Sequence, residues 1–397
     1  MNKKNYYFFA ALGMLALLTA SCGTKQFAMY APGENLSALT KITESDNICE
    51  FPYGGDNGQK LFFSVRDRKS GYSNVYKKDN PLSASMVQKT GGKNQNFSPV
   101  YCDATNKLAF SGRQSGAARY DIYMMDDIQS NALTQVTNSF DAGEIRPSIS
   151  RDGRIVVYEK RTYSYGGPYV DPTPDAEIWL RNLQTRESIL LSIGCMPSLS
   201  PDGKTIAFIK VAQGDVIPCL WIMNVDGSNQ IQLTDTNLGS VYFPRFSPDG
   251  LQIVFSCWKR EKKDHDLYVI DRNGNTLTQL TINESYDSQP YWANDGNIYF
   301  TSDRGSRGGK YEIWRFRYGN PVPQSYVRPS APVAVPVPAP APTNTNVYRG
   351  TYHTVAEGET ITDIARRYGI TVRDVVKWNE LKTMTITPGM KLKVSAQ

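Results

Sequence analysis

Short runs of alternating apolar and polar residues recur along most of the chain, and they predict β-strands. The clearest are T-I-A-F-I-K at 205–210 and Q-I-V-F-S at 252–256, whose period of two is typical of strands with one buried face. A tight S-P-D-G turn precedes each of them, at Ser200–Gly203 and at Ser247–Gly250. Because an Asp-Gly pair tolerates positive φ angles, these turns predict hairpins that join each strand to the one before it.

The predicted strands form six repeating units. In each unit an apolar strand and a polar loop lead to a proline, which is followed by a polar turn, an alternating strand, a variable loop and a strand with a central aromatic residue. The turn of the second unit is degenerate and reads C-D-A-T-N. The prolines lie 46 to 50 residues apart and are Pro52, Pro99, Pro147, Pro197, Pro244 and Pro290. Four short strands in a unit of about 40–50 residues are typical of a β-propeller blade.

We therefore predict a mainly β fold, with a six-bladed β-propeller of four-stranded blades over residues 35–319. The last unit supplies three strands, which end near Tyr318, whereas the first L-T-x-x-T strand, near Ala38–Thr43, has no three strands before it. We expect this amino-terminal strand to complete the sixth blade and close the ring. Closure removes sheet edges that would otherwise pair with other chains.

The repeated S-P-D-G turn, followed by an L-T strand, resembles the propeller repeats of TolB and its relatives over residues 35–319. TolB carries an α/β domain ahead of its propeller, whereas residues 22–34 alone separate Cys22 from the predicted propeller here. The resemblance therefore implies the propeller fold and not a role in the Tol system.

The amino-terminal segment predicts export and lipidation. Lys3 and Lys4 precede an apolar run from Tyr6 to Leu18, which is short for a membrane span and typical of a signal peptide. The following L-T-A-S-C-G resembles a bacterial lipobox, which implies removal of residues 1–21 and attachment of a diacylglycerol to Cys22. The alternative is an ordinary cleaved signal peptide with a coincidental cysteine.

Two features refine the expected location. Gly23 follows the cysteine where inner-membrane retention in enterobacteria uses Asp, which favours the outer membrane. The next residues lack the acidic cluster that resembles a surface-export signal in lipoproteins of Bacteroidota. We therefore predict a Bacteroidota-like lipoprotein that is lipid-anchored in the outer membrane, faces the periplasm and uses residues 22–34 as a tether.

Residues 320–350 are rich in proline and predict a linker between two domains. Such composition favours polyproline II, a semi-rigid spacer of about 3.1 Å per residue, so the 26 residues 321–346 reach up to roughly 80 Å.

Residues 351–397 predict a small βααβ domain. A strand from Tyr352 leads to a helix opened by Thr360, Thr371 caps a second helix, and 390–394 alternates as a returning strand. The segment resembles the LysM family along its length. The residues that carry the resemblance are Tyr352, Val355, Gly358–Ile361, Ile364, Ala365, Tyr368, Gly369, Trp378, Asn379, Leu381, Ile386, Pro388, Gly389 and Leu392.

The LysM resemblance implies binding of glycan that contains N-acetylglucosamine, and the lipobox favours peptidoglycan over chitin as the partner. In LysM domains the loop after the first strand and the loop before the last form a shallow groove. The corresponding glycan-binding residues here are Gly358, Glu359, Thr360, Ile361, Asn379, Leu381, Ile386, Pro388 and Gly389. The alternative is that individual members of this set serve only as core and turn residues.

The sequence gives little basis for catalysis. Its two histidines, His265 and His353, lack metal-ligand spacing and a nucleophile nearby, and no G-x-S-x-G occurs. The cysteines after Cys22 form no C-x-x-C and are expected as buried strand residues, although one disulfide pair stays open. We expect no metal, no cofactor and, at a net charge of +6, no nucleic-acid partner. The alternative function is a cell-wall or glycan-processing enzyme whose propeller holds the active site and whose LysM domain targets it.

The propeller is predicted to dock one or more unidentified envelope proteins. Its loops between second and third strands are basic, and its loops between fourth and first strands lean acidic, which favours a charged partner. A Tyr-rich insert lies on the same predicted face and favours an interface. The expected contact residues are Tyr163, Tyr165, Tyr169, Arg260, Lys262 and Lys263. Solvated loop charges are the alternative interpretation.

Overall fold

The computed structural model describes residue 34, residues 36–318 with gaps, and most of 352–395. The gaps in the propeller are 56–57, 127, 130–131, 140–141, 162–175, 212–216, 260, 263 and 307–308. Those nearer the carboxyl terminus are 357–358, 360, 369, 371–373, 376–377, 380 and 382–385. The predicted signal peptide, Cys22 and the linker 320–350 lie outside the described residues.

The propeller consists of six antiparallel four-stranded blades, which confirms the predicted fold. Blade 1 contains β2 (Ile48–Gly54), β3 (Leu61–Arg66), β4 (Ser73–Lys78) and β5 (Val87–Gln88). Blade 2 contains β6 (Gln95–Cys102), β7 (Lys107–Arg113), β8 (Asp121–Met125) and β9 (Thr134–Gln135). Blade 3 contains β10 (Gly143–Ile149), β11 (Ile155–Arg161), β12 (Glu177–Asn182) and β13 (Ser188–Ile193).

The remaining blades repeat this order. Blade 4 contains β14 (Cys195–Leu199), β15 (Thr205–Val211), β16 (Pro218–Asn224) and β17 (Ile231–Gln232). Blade 5 contains β18 (Ser240–Phe246), β19 (Gln252–Lys259), β20 (Asp264–Asp271) and β21 (Leu277–Gln279). Blade 6 contains β22 (Asp287–Trp292), β23 (Asn297–Ser302), β24 (Glu312–Arg317) and β1 (Ser37–Lys41). One parallel pair, Ser73 with Gln95, joins the sheets of blades 1 and 2.

The amino-terminal strand closes the ring, as predicted. Strand β1 pairs antiparallel with β24, so that Ser37 lies opposite Arg317. Just before this strand, a carboxylate oxygen of Glu34 lies 3.2 Å from a guanidinium nitrogen of Arg304, which also pairs with Asp287 of blade 6. A main-chain ladder and a buried ion-pair cluster therefore fasten the closure together.

In five of the blades, a threonine just after the outer strand forms a hydrogen bond with the third strand of the same blade. Its hydroxyl oxygen accepts a hydrogen bond of 2.8–2.9 Å from a backbone N–H of the third strand. The five residues are Thr43, Thr90, Thr137, Thr234 and Thr281. This contact explains the second threonine of the repeated L-T-x-x-T pattern, because the bond satisfies a buried backbone donor next to the last pair of the ladder.

Each innermost strand has a β-bulge at the residue before the repeated proline. These residues have φ angles of 51–55°, which non-glycine residues rarely adopt, and the strand register shifts there. They are Phe51, Ser98, Arg146, Met196, Phe243 and Gln289. The Phe51 and Phe243 rings are 5.9 Å apart although their blades are not neighbours, so the bulged residues meet at the propeller axis.

Apolar side chains of the middle strands fill the spaces between adjacent blades. Val254 and Leu267 of blade 5 pack with Phe300 of blade 6, and Val157 of blade 3 packs with Phe208 of blade 4. Full burial of one such side chain contributes about 1.5–3 kcal/mol. These inter-blade cores therefore hold the ring together.

The five cysteines in the described residues are buried thiols that form no disulfide with one another, as expected for small core residues. They are Cys49, Cys102, Cys195, Cys219 and Cys257. Burial raises the pKa of the Cys195 and Cys257 thiols to about 12. These thiols therefore stay protonated and poorly nucleophilic near neutral pH.

The carboxyl-terminal module contains strand β25 (Tyr352–Thr354), helix α1 (Ile361–Tyr368) and strand β26 (Lys391–Lys393). Strands β25 and β26 pair antiparallel, and the buried core includes Val355, Ile364, Val375 and Leu392. The predicted second helix, from Thr371, falls largely outside the described residues. No helix in the described part of the chain has both the length and the apolar character needed to cross a membrane.

Candidate functional site

The two loops that were predicted to form the glycan groove lie side by side in the carboxyl-terminal module. The Val355 N–H donates to the carbonyl of Met390 over 2.9 Å, and the Gly389 N–H donates to the carbonyl of Val355 over 2.8 Å. Gly389 has a φ of 87°, a conformation that a glycine adopts without strain. Together with Pro388, it is exposed at the edge of the module and accessible to a ligand.

Glu359 organises the first of these loops. One of its carboxylate oxygens accepts hydrogen bonds from His353 Nε2 at 2.6 Å and from the Ala356 N–H at 3.0 Å. The other oxygen lies 2.7 Å from a guanidinium nitrogen of Arg367. The Ala356 N–H and then His353 hold the pKa of Glu359 below its usual range. The carboxylate is thus committed to loop structure and to neighbouring side chains.

The other predicted groove residues divide into three groups. Ile361 is buried, whereas Leu381 and Ile386 are half-buried and pack against the module core. Asn379 donates to the carbonyls of Val375 and Lys393 at 2.7 and 2.9 Å, and it accepts from the Lys393 N–H at 2.6 Å. Its amide therefore pins β26 to the preceding segment. Gly358 and Thr360 lie outside the described residues.

An open funnel lies on the propeller axis, at the end that carries the Asp-Gly turns. Together with the open solvent at its mouth it comprises about 660 Å³, and it is lined by residues of all six blades. Many of them occupy the first or second position after the repeated proline. One from each blade is Tyr53, Tyr101, Ser148, Ser198, Arg245 and Tyr291. The described residues that line the funnel include no carboxylate and no histidine.

Arg245 gives this funnel a positive charge. Its guanidinium donates to the carbonyl of Pro244 at 3.3 Å and has no carboxylate partner in the described part of the chain. Burial lowers the pKa of Arg245, although the guanidinium remains charged at neutral pH. The rings of Tyr53 and Tyr291, whose centroids are 4.4 Å apart, form an aromatic pair on the same lining.

The bulged residues precede the funnel-lining residues along each innermost strand. The Arg146 guanidinium lies 5.5 Å from the Phe243 ring centroid, and its Nη1 lies 2.9 Å from a carboxylate oxygen of Glu159. Glu159 also pairs with Arg161 and accepts a hydrogen bond from the Met196 N–H at 3.0 Å. Two buried arginines thus share one buried carboxylate beside the axis.

Of the predicted docking residues only Lys262, in the loop between β19 and β20, is described. Its ammonium lies 3.5 Å from Asp266. Burial, followed by repulsion from Asp264, raises the pKa of Asp266 to about 7. Nearby, burial lowers the pKa of His265 to about 4. Tyr163, Tyr165, Tyr169, Arg260 and Lys263 lie outside the described residues, so the docking set stays a prediction.

Two family models match the chain at the positions of these modules. The TolB beta propeller domain matches residues 173–324, and the LysM domain matches residues 353–395. The chain pairs a TolB-type propeller with a LysM domain.

Individual relatives support the fold of the TolB-type propeller. A TolB-type protein of Agrobacterium tumefaciens is 16% identical, with a TM-score of 0.51 over 71% of this chain and 97% of that protein. An oligogalacturonate lyase in complex with manganese is 17% identical, with a TM-score of 0.50 over 78% of this chain and all of that one. At these identities the likeness concerns the fold alone.

One sequence relative is more similar over a shorter stretch. It is the uncharacterised peptidase YuxL of Bacillus subtilis, which is 35% identical over 155 residues, or 36% of this chain. The chain spans about a fifth (21%) of the length of that relative.

The described residues of the TolB-type propeller and the LysM domain were also compared with the requirements of a metal site. No group of three or more His, Cys, Asp or Glu side chains among them is placed to hold a metal ion.

Sequence reasoning missed two features of these sites. The sequence assigns His353 no structural role, yet its ring lies between Tyr368 and Glu359 of the LysM domain. Arg245 was not singled out, although it alone among the residues after the six repeated prolines is charged. An alignment of the six repeats at that position shows Arg245 as the one charged residue.

Proposed function

We propose that this protein is a non-catalytic lipoprotein of the outer membrane that binds peptidoglycan through its LysM domain and docks an envelope protein on its propeller. The LysM domain carries the first part of the proposal, because its fold, its family match and its two adjacent loops fit a glycan ligand. The lipobox-like sequence that ends at Cys22 supports the lipid anchor and the periplasm-facing location.

The two anchors make the protein a link between membrane and cell wall. Cys22 holds one end, the LysM domain holds the other, and the proline-rich linker between propeller and LysM domain reaches up to roughly 80 Å. Because both ends are held on the same chain, the second attachment takes place at a high effective concentration. Simultaneous engagement would therefore make the link stronger than either attachment alone.

The axial funnel supports the docking part of the proposal. Arg245 presents a cation in a half-enclosed site whose lining contains no carboxylate among the described residues. A carboxylate of the partner would supply the missing counter-charge, and Tyr53 and Tyr291 offer aromatic surface beside it. The opposite face is the weaker candidate, because Lys262 is already paired with Asp266 there.

Sedimentation with purified sacculi tests the glycan part. The full-length protein is expected to pellet with sacculi, and a chain that ends at residue 350 is expected to stay in the supernatant. Retention of the truncated chain would contradict the proposal. Metabolic labelling with a radioactive fatty acid tests the anchor, since Cys22→Ser should abolish the label and Cys49→Ser, at a buried strand position, should not.

A glycan-processing or hydrolytic enzyme is the second candidate. The segment similar to YuxL favours it, because that relative is described as a peptidase. The funnel lining works against it, since its described residues include no carboxylate and no histidine, the side chains that most often carry acid–base hydrolysis. Incubation of the protein with sacculi, followed by analysis of soluble muropeptides, separates the two candidates. Released fragments would favour the enzyme.

A further inference from the structure

The LysM domain contacts one particular blade of the propeller. Helix α1 packs against β13, the outer strand of blade 3. Leu190 and Ile193 of this strand lie against the hydrophobic core of the LysM domain. Their strand partners are Trp179 and Glu177, which are two residues apart, so both side chains project from the same face of the blade.

Leu190 departs from the rest of the propeller at this position. In every blade one outer-strand residue lies opposite the central aromatic residue of the third strand. It is Lys41, Gln88, Gln135, Gln232 or Gln279 in the other blades. Blade 3 alone has an apolar residue here, and it is the blade that contacts the LysM domain.

The glutamines explain what this position ordinarily does. The side-chain amide of Gln232 donates to the Thr234 carbonyl at 2.8 Å, and those of Gln88 and Gln279 make the same contact at 2.7 and 2.9 Å. A leucine cannot satisfy that carbonyl. On an uncovered outer strand it would also expose apolar surface at a sheet edge, a place that proteins usually keep polar.

The length of strand β13 also indicates that another element covers it. Strand β13 has six residues, whereas the outer strands of blades 1, 2, 4 and 5 have two or three. A long apolar edge is a template for association unless another element covers it. The linker follows β24 of blade 6, and a linker that reaches up to roughly 80 Å does not restrict the LysM domain to the neighbouring blades.

We propose that the outer face of blade 3, at Leu190 and Ile193, is a docking site for the LysM domain of the same chain. In the docked arrangement Thr387, Pro388 and Gly389 remain exposed. Docking therefore leaves this edge of the LysM domain accessible and gives it a fixed orientation relative to the propeller. The proposal concerns an intramolecular interface, and it holds whether or not the domain binds peptidoglycan.

Small-angle X-ray scattering of the full soluble chain, without the signal peptide and with Cys22→Ser, tests the interface. Leu190→Gln places on blade 3 the residue found in four other blades, so the propeller is expected to fold. Ile231→Gln is the matched control, because Ile231 is an exposed apolar residue on the outer strand of blade 4. We expect Leu190→Gln to lengthen the maximum dimension by tens of ångströms, given a linker of about 3.1 Å per residue.

The parent chain and the Ile231→Gln control should keep the same compact scattering profile. Equal profiles for Leu190→Gln and the parent would overturn the proposal, as would a parent chain that is already extended. Thermal unfolding of all three proteins verifies that the propeller is intact. Sacculus sedimentation of the same variants is expected to be unchanged, which separates this interface from the glycan-binding function.

Discussion

His353 Nε2 and a carboxylate oxygen of Glu359 lie 2.6 Å apart in the LysM domain. The same oxygen accepts the Ala356 N–H, and Arg367 neutralises the other oxygen of the carboxylate. The first loop of the predicted groove therefore depends on one ionised side chain. The stability of this loop should therefore depend on pH.

We predict that the LysM domain loses stability in acid because of Glu359. Its pKa is lower in the folded protein than the ordinary value of 4.5, so the stabilisation is complete above that value and is lost as the pH falls through the lower, folded pKa. Hydrogen exchange of the backbone amides of residues 352–356 between pH 3 and 6 measures this loss of stability. Glu359→Gln should reduce both protection and its acid dependence, whereas Glu187→Gln, on an exposed turn of blade 3, should change neither.

We predict that Gly389→Ala destabilises the LysM domain by about 1–2 kcal/mol and weakens sedimentation with sacculi. No atom obstructs the added Cβ, so the cost arises from a φ of 87° that alanine adopts with strain. Gly203→Ala is a matched control, since Gly203 has a φ of 70° and equally open surroundings in blade 4. It should strain the propeller and leave sedimentation unaffected. Equal sedimentation of the two variants would argue against the groove.

We predict that Arg245→Ser abolishes capture of the propeller's partner. Serine occupies the corresponding position in blades 3 and 4, at Ser148 and Ser198, so the substitution suits the fold. Loss of the only partner for a buried carboxylate costs 2–5 kcal/mol, or about 30-fold to several thousand-fold in affinity. The yield of crosslinked partner in cells measures the effect, with Arg317→Ser on the exposed end of β24 as control. An undiminished yield would remove the funnel from the docking surface.

We predict that Glu159→Gln destabilises the propeller by about 3–5 kcal/mol, because two buried arginines lose their shared counter-charge. Burial alone would raise the pKa of Glu159, but Arg146 and Arg161 outweigh it and hold that pKa low. Chemical unfolding of the propeller measures the change. Glu44→Gln provides the comparison, since its 89% exposed carboxylate makes only a surface ion pair and should contribute little.

The repeat could be predicted from the sequence because each blade restates the same local pattern. Pro244 and Pro290 recur in phase with their turns, and the unpaired strand near Ala38 implies closure of the ring. The bulge before each proline could not be predicted, since it arises from pairing between strands. Phe51 and Phe243 are distant in sequence and meet only when the ring is complete.

The site was predicted less completely for the same reason. The LysM pattern locates the two loops, but it does not distinguish Asn379, which fastens the backbone, from Pro388, which faces solvent. Leu190 is unremarkable in its own sequence context. It becomes informative only when the strand register aligns it with Gln232 of the next blade.

The closure of the ring also determines how the propeller would respond to tension. Ser37 and Arg317 are paired at the end of blade 6 where the chain enters β1 and leaves β24. In a link held by membrane and wall, once the LysM domain has left blade 3, a pull on the two ends would separate this pair before any other pair of the propeller and open the ladder one bond at a time. The Arg304–Glu34 ion pair at the entrance resists that first step. Under tension, blade 6 would therefore unfold before the other blades, and the proposed link between membrane and wall would lengthen there first.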